Sequence, residues 1–327
     1  MTTFILRRIG LMLPMLIAVS FVSFAIIQLP PGDFLTTLQA ATAETGGGMT
    51  DELAELLRAN YGLDRPFIEQ YINWIDGFLV GDFGYSFEWN SPVWPLIADR
   101  MGYTILLGTA SLVIMFVLAI PIGVYSATHQ YSLGDNLLSA LAFLGLSIPG
   151  FLMALMWLYV GAVILRIPVT GIQSPEFQNA PLSVAKVLDY LAHFVPPALI
   201  LGLASTAQLM RIMRSGMLDV LSQQYITTAR AKGLKEPKVI NKYAVRSALN
   251  PVVSVMAMEV PKIISSSILI GVVLAVPTTG PLFLRSLLSQ DMFLAGTFLM
   301  MMALMQLVAN LFADVTLAWL DPRIVYT

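Results

Sequence analysis

An all-α integral membrane protein with six transmembrane helices is the fold class this sequence predicts, on three observations. Of its 327 residues 57% are apolar and 12% are Asp, Glu, Lys or Arg, with a mean hydropathy of +0.77. That charge content is about half the roughly 25% of an average soluble domain, too little to cover a water-facing surface of this size. Six apolar runs come near or exceed the roughly 20 residues that cross a bilayer as a helix. The charges excluded from those runs fall in the connecting segments with a strong asymmetry of sign.

The six runs are 9–29, 103–127, 137–165, 194–210, 251–276 and 292–320. The first three contain no Asp, Glu, Lys or Arg. Arg7 and Arg8 precede the first run, so it can be read as a signal peptide or as an uncleaved first helix. Its length exceeds a typical signal core, and Gln28-Leu29-Pro30-Pro31-Gly32-Asp33 is no small-residue cleavage site, which favours the helix. The fourth run is short, carries Pro196 and Pro197 near its start, and has the least distinct limits. The fifth and sixth contain ionisable residues.

Basic residues collect on the cytoplasmic side of membrane proteins. Segment 211–250 holds eight basic residues against Asp219 and Glu236, net +6, whereas 30–100 holds Arg58, Arg65 and Arg100 against eleven acids, net −8. With six spans this places both termini inside and the acidic segment outside. The chain then divides into 1–29, with the first span; 30–100, an extracytoplasmic loop with short helices; and 101–327, a five-helix core that includes the basic loop 211–250. Absence of cysteine excludes disulfides, thiolate nucleophiles and Cys-based metal sites. The two histidines, His129 and His193, stand at expected segment ends, which argues against a buried His metal cluster.

The acidic loop has its own helical pattern. Gly46-Gly47-Gly48 breaks the chain. Thr50 can cap a helix with Leu53, Leu56 and Leu57 on one face, and Gly62 ends it. Pro66 suits a first helical position, and Ile68, Tyr71, Ile72, Ile75, Phe78 and Leu79 follow at helical spacing. Trp74, Trp89 and Trp94 fit a membrane-interface belt. These helices can lie on the bundle or membrane surface, receive an external partner, or do both.

The basic loop reads as a helix, a turn and a second helix. Tyr225-Ile226-Thr227-Thr228-Ala229-Arg230-Ala231-Lys232 is helical in pattern, with small Ala229 and Ala231 permitting close approach. Gly233 is a natural left-handed terminator, and Leu234 follows. Glu236-Pro237 starts the second helix; Val239, Ile240, Tyr243, Ala244 and Ala248 supply its apolar side, and Asn250-Pro251 ends it. Attraction to anionic lipid would explain the charge but not the Ala/Gly pattern. A rigid, protruding element of this kind can seat in a groove of a partner.

Residues 227–233 resemble the Glu-Ala-Ala-x-x-x-Gly motif of ABC importer permeases, with Thr227 and Thr228 replacing its first two residues. The surrounding pattern is similar to the oligopeptide/dipeptide/nickel permease family. Ala244-Val245-Arg246-Ser247-Ala248-Leu249-Asn250-Pro251, Tyr61-Gly62-Leu63-Asp64-Arg65-Pro66, Gly81-Asp82-Phe83-Gly84-Tyr85-Ser86 and Leu320-Asp321-Pro322-Arg323 also resemble family patterns, in order. The resemblance covers nearly the whole chain. It implies a type I ABC importer permease-like fold and a multi-pass protein of a bacterial or archaeal cytoplasmic (inner) membrane. The implied partners are a second homologous permease, two ATPase subunits and an extracytoplasmic solute-binding protein. The loop would be the coupling helix, with Ala229 and Gly233 at the ATPase contact. No cofactor is implied on this chain, ATP and Mg belonging to the ATPases, and no nucleic acid. No Gly-Lys dipeptide exists to form a phosphate-binding Walker A loop, which agrees with ATP hydrolysis on another chain. Gly271 stands where many peptide-transporting members have Glu, and Val276-Pro277-Thr278-Thr279-Gly280-Pro281-Leu282 replaces the family's Pro-Gly-x-Gly-x-Leu turn. An oligopeptide and an oligosaccharide-sized solute are both open as cargo.

Ionisable groups within spans are costly and therefore informative. Glu259 and Lys262 share a face of the fifth span; Gln306, Asn310 and Asp314 share one in the sixth; Gln208 and Thr206 lie in the fourth. Each set reads either as structural or as lining a pathway or gate. Pro121, Pro149 and Pro261 interrupt spans, and Pro149 beside Gly150 marks a bend. The eighteen methionines suit adaptable packing. A secondary transporter driven by an ion gradient is the alternative, but it calls for several midplane carboxylates and inverted repeats, and only Glu259 and Asp314 qualify. An intramembrane enzyme lacks its motifs: no His-Glu-x-x-His, no second Asp beside Asp314, and no deep His beside a Ser. The chain reads as a transport subunit, not an enzyme.

Overall fold

The structure is a computed structural model that describes residues 2–29, 32, 34–44 and 50–320. The Gly46-Gly47-Gly48 break and residues 321–323 of the terminal motif lie outside them. Among the described residues four helices are long and apolar enough to cross a membrane, and two bent helix pairs, each counted as one span, bring the total to six. The chain forms two compact units, one of residues 1–102 and 278–305, the other of 103–277 and 306–327.

The first unit holds α1 (Thr2–Gln28), α2 (Phe34–Glu44), α3 (Asp51–Tyr61), α4 (Phe67–Val80), a hairpin of β1 (Tyr85–Ser86) with β2 (Ser91–Pro92), and α12 (Thr279–Leu288). Thr50 caps α3 as expected, its Oγ1 accepting from Leu53 N. Pro66 takes the N-cap of α4, one position earlier than the sequence suggested. The core is aromatic: Phe24 stacks on Trp74 at 5.6 Å, with Phe67 and Tyr71 edge-on to Phe24. Trp74 is thus a core residue, not part of an interface belt. Trp89 lies between the guanidinium groups of Arg100 and Arg285, at 5.5 and 5.2 Å from its ring centre.

A buried acid closes this unit. Asp291 is the N-cap residue of α13 (Met292–Leu320), with Oδ1 accepting from Leu294 N at 3.2 Å. Its Oδ2 accepts from Ser86 Oγ and from Glu88 N, fastening the hairpin to the helix start. Burial raises the Asp291 carboxyl above its usual pKa, while the bonds from Ser86, Leu294 and Glu88 oppose the shift. We predict that Asp291→Ala lowers stability in detergent by about 1–2 kcal/mol for the lost cap. Asn at this position retains most of it; thermal unfolding of the two variants tests the difference.

The second unit is organised by α8 (Val184–Leu221), a 38-residue helix where the sequence suggested a short span at 194–210. Pro196 and Pro197 lie inside it without ending it. Membrane neighbours approach closely where side chains are smallest. A Cβ on Gly202 would stand 2.9 Å from Ser111 O of α5 (Val93–Thr128), and one on Gly216 would stand 3.2 Å from Ala248 O of α11 (Val245–Val273). On α6 (Leu133–Ser147), a Cβ at Gly145 would stand 3.1 Å from Leu203 O. An ion pair adds to the α6 contact: Arg214 Nη2 donates to buried Asp135 Oδ2 at 2.9 Å, which also accepts from Tyr131 N.

The third run is not one straight span. α6 and α7 (Gly150–Tyr159), the latter extended by a π-helix Val160–Leu165, meet at 95°. Ile148 is extended because the Pro149 ring disfavours a helical residue before it. The expected stop at Asn250-Pro251 is also corrected, since α11 runs through both. Its bend, 48° between 236–256 and 258–273, falls at the carbonyl four residues before Pro261. There the proline supplies no amide and its ring crowds the helix.

Candidate coupling loop and polar residues of the spans

The basic loop folds from its sequence in three steps. α8 ends at Leu221, Ser222 and Gln223 turn the chain, and α9 (Gln224–Ala231) begins. α9 closes in a Schellman turn: Leu234 N donates to Ala229 O and Gly233 N to Arg230 O. Gly233 has φ +74°, a conformation that costs an ordinary L-residue about 1–2 kcal/mol. Then α10 (Glu236–Lys238) and a π-helix (Val239–Ala244) lead into α11.

One side of this element is welded to the second unit. Ile226, Ala229, Val239, Ala244 and Ala248 are buried in one cluster with Met213 and Met217 of α8 and Met115 and Ala119 of α5. Ala229 therefore faces inward, 6% exposed, and is not on the outer surface where the resemblance would place it. Its small side chain lets α9 sit close to the body. The outward side is made by Tyr225, Thr227, Thr228, Arg230, Ala231, Lys232 and Gly233, while Leu234 is half-buried.

A charged staple spans the turn. Arg230 Nη2 and Nε donate to Glu236 Oε1 and Oε2 at 2.6 and 3.1 Å. The bond from Arg230 holds the Glu236 carboxyl below its usual value, and Glu236 raises the guanidinium in turn. A carboxylate with a lowered folded-state pKa contributes stability above its ordinary value and loses it as pH falls through the folded one. Turn residues 230–238 should therefore hold constant hydrogen-exchange protection near neutral pH and loosen only in acid below the ordinary glutamate range. Glu236→Ala should show the loosened pattern already at pH 7.

Three of the polar span residues come together. Lys262 Nζ donates to Glu259 Oε1 at 2.7 Å and reaches Gln208 Oε1 at 3.5 Å. The Glu259 side chain is 2% exposed and that of Lys262 48% exposed, with Gln208 also exposed. Glu259 Oε2 is buried without a partner among the described residues. Thr206 does not join them; it is buried and donates back to Gly202 O. In α13, Gln306 Nε2 donates to Asn310 Oδ1 at 2.8 Å, and Asp314 is half-buried one turn on. Removing Lys262 leaves the buried Glu259 carboxylate without its counter-ion. Lys262→Met should destabilise strongly, and adding Glu259→Gln should recover most of the loss; a double-mutant cycle of thermal stability in lipid reads both.

His193 is deeper than the sequence suggested. It lies inside α8, 4% exposed, with Nδ1 on Asp189 O at 2.9 Å and Nε2 without a partner among the described residues. Ser174 is nearby in chemistry, but its Oγ donates to the Asp189 carboxylate and not to His193. No cluster of His, Asp and Glu with metal-binding geometry occurs among the described residues.

Residues 119–326 match the family described as binding-protein-dependent transport system inner membrane component, and residues 1–108 match its N-terminal membrane component. The chain belongs to this family. It is a multi-pass protein of the inner membrane. The oligopeptide transport system permease protein AppB of Bacillus subtilis is 34% identical to it over the full length of both chains. The dipeptide transport system permease protein DppB of Escherichia coli K12 is 32% identical over 99% of each. A solved structure described as an inward-facing conformation of the MetNI methionine ABC transporter aligns with 69% of this chain and 96% of its own, at a TM-score of 0.51 and 16% identity. That last likeness is one of fold: the helical core is that of a type I ABC transporter permease.

Proposed function

We propose that this chain forms half of the translocation pathway of an ATP-driven, binding-protein-dependent importer. It is energised through the loop 211–250. The observation that carries this reading is α9: a short helix welded on one side to the membrane core through Ile226 and Ala229 and bearing an exposed polar face on the other. Such an element transmits a push from a docked ATPase to α8 and α11 without dissipating it in loop motion. The partners are a second homologous permease, two ATPase subunits that hold ATP and Mg, and an extracytoplasmic solute-binding protein. Both termini and the loop lie in the cytoplasm, and 30–100 lies outside, a reading the charge asymmetry supports.

The cargo is a short peptide, supported by the names of the two relatives; an oligosaccharide-sized solute is the other class. The Glu259–Lys262–Gln208 cluster lines the pathway, because a half-exposed ammonium on a spanning helix does not face hydrocarbon. Gln306, Asn310 and Asp314 form a second polar stripe with the same role. No observation supports the gradient-driven alternative.

ATP-dependent uptake of a labelled dipeptide into reconstituted vesicles tests the coupling assignment. Gly233→Asp should lower uptake at least tenfold, because it puts a negative charge beside Lys232 on the exposed face of the loop. Nothing lies within 4 Å of a Cβ at this position, so the new side chain meets no neighbour. Gly233→Asn, which tolerates the conformation, should retain most uptake. Normal uptake in the Asp variant would sink the assignment.

A further inference from the structure

A cavity of about 330 Å³ lies between α5 and α8 in the second unit, toward the end of α8 that is remote from the basic loop. Leu106 and Leu107 of α5 line it together with Tyr190, Leu191, Phe194 and Pro197 of α8. The α8 residues recur at helical spacing and so share one face. Gly171 and Ile172 of the segment 166–174 supply a third wall. That segment is fastened on two sides. Gly171 N donates to Leu274 O at the end of α11 at 2.8 Å, and Ser174 donates through N and Oγ to the Asp189 carboxylate of α8. The wall is thus a strap tied to both neighbouring helices.

The accessible lining is almost wholly hydrocarbon. His193 borders the cavity but offers it no polar group, since Nδ1 is engaged with Asp189 O and Nε2 is buried. A buried water needs about two to four polar partners, so water does not fill such a space. Leu106 and Leu191 are 55% and 48% exposed, and the cavity therefore opens outward between two membrane-spanning helices. What lies at that opening is acyl chain. A cation stands one helical turn above it: Lys186 Nζ is 5.9 Å from the Tyr190 ring centre. It donates to Ala180 O at 2.7 Å and keeps its other N–H donors. Asp189, the acid three residues on, is committed to Ser174. From Lys186 to Pro197 the helix rises about 16 Å, close to the roughly 15 Å of hydrocarbon in one leaflet.

We propose that this cavity holds one acyl chain of an anionic phospholipid, with the headgroup phosphate on Lys186. The chain passes Tyr190 and ends near Pro197, and the strap 166–174 keeps the slot open for it. The site rests on the membrane class of the chain and not on the importer reading.

The test uses the full-length chain with its co-purified partners in phosphatidylcholine nanodiscs that contain a small fraction of phosphatidylglycerol with a diazirine midway along one chain. Irradiation and peptide mapping read where the lipid sits. Adducts should concentrate on Leu106, Leu107 and residues 190–197 and saturate as the probe is raised. Unlabelled phosphatidylglycerol should compete for them, and extra phosphatidylcholine should not. Lys186→Gln should lower this labelling about fivefold, and Lys186→Arg should restore it. Labelling of α1, whose Ile17 is 66% exposed, reports ordinary lipid contact and should stay constant across the variants. Cavity adducts no more frequent than those on α1 overturn the site, as they would if a second permease covered this face. Equal competition by phosphatidylcholine, or unchanged labelling in Lys186→Gln, overturns the anionic headgroup.

Discussion

Within hydrocarbon every backbone amide must find its partner inside its own helix, and helices then meet only as closely as their side chains allow. The second unit depends on this constraint at α8. Gly202 and Gly216 on α8, and Gly145 opposite it on α6, bring backbone to within contact of α5, α11 and α6 in turn. With no hydrophobic force between helices in lipid, this close packing and the Arg214–Asp135 pair do the holding. A larger residue at any of those glycines would push a neighbouring backbone away and loosen the helix on which the others rest.

The same helix joins the basic loop to the helical core. α8 continues unbroken from Val184 to Leu221 and passes after two residues into α9. α9 is folded back by its Schellman turn, and Val239, Ala244 and Ala248 return to the same buried cluster. Met213 and Met217 of α8 fill the space between them, a use suited to the flexible thioether side chain. The loop and this end of the bundle therefore form one packed body. The 95° break at Pro149 and the 48° bend before Pro261 are the places where the spans themselves change direction.

The first unit uses a different solution. It has few long apolar helices, so aromatic stacking and a buried acid hold it. Phe24, Trp74 and Tyr71 form the apolar centre, and Asp291 ties the hairpin to the start of α13. Between its two glycine-ended turns it leaves a polar cavity.

By itself the sequence determined the membrane class, the helical fold, the existence of the spans, the Thr50 cap, the Gly62 and Gly233 terminations and the Glu259–Lys262 pairing. Each of these follows from local periodicity, from a single residue's conformational range or from spacing along one helix. The family could also be read there, because its motifs are contiguous. Tertiary structure alone decided that Ala229 and Thr206 point inward, that His193 is deep, that Trp74 is a core residue and that α8 runs 38 residues. It also decided that the motifs at 61–66 and 81–86 share one cavity. These matters depend on which neighbours cover a face. In a chain that is apolar nearly all round, composition does not distinguish a face turned to lipid from one turned to another helix.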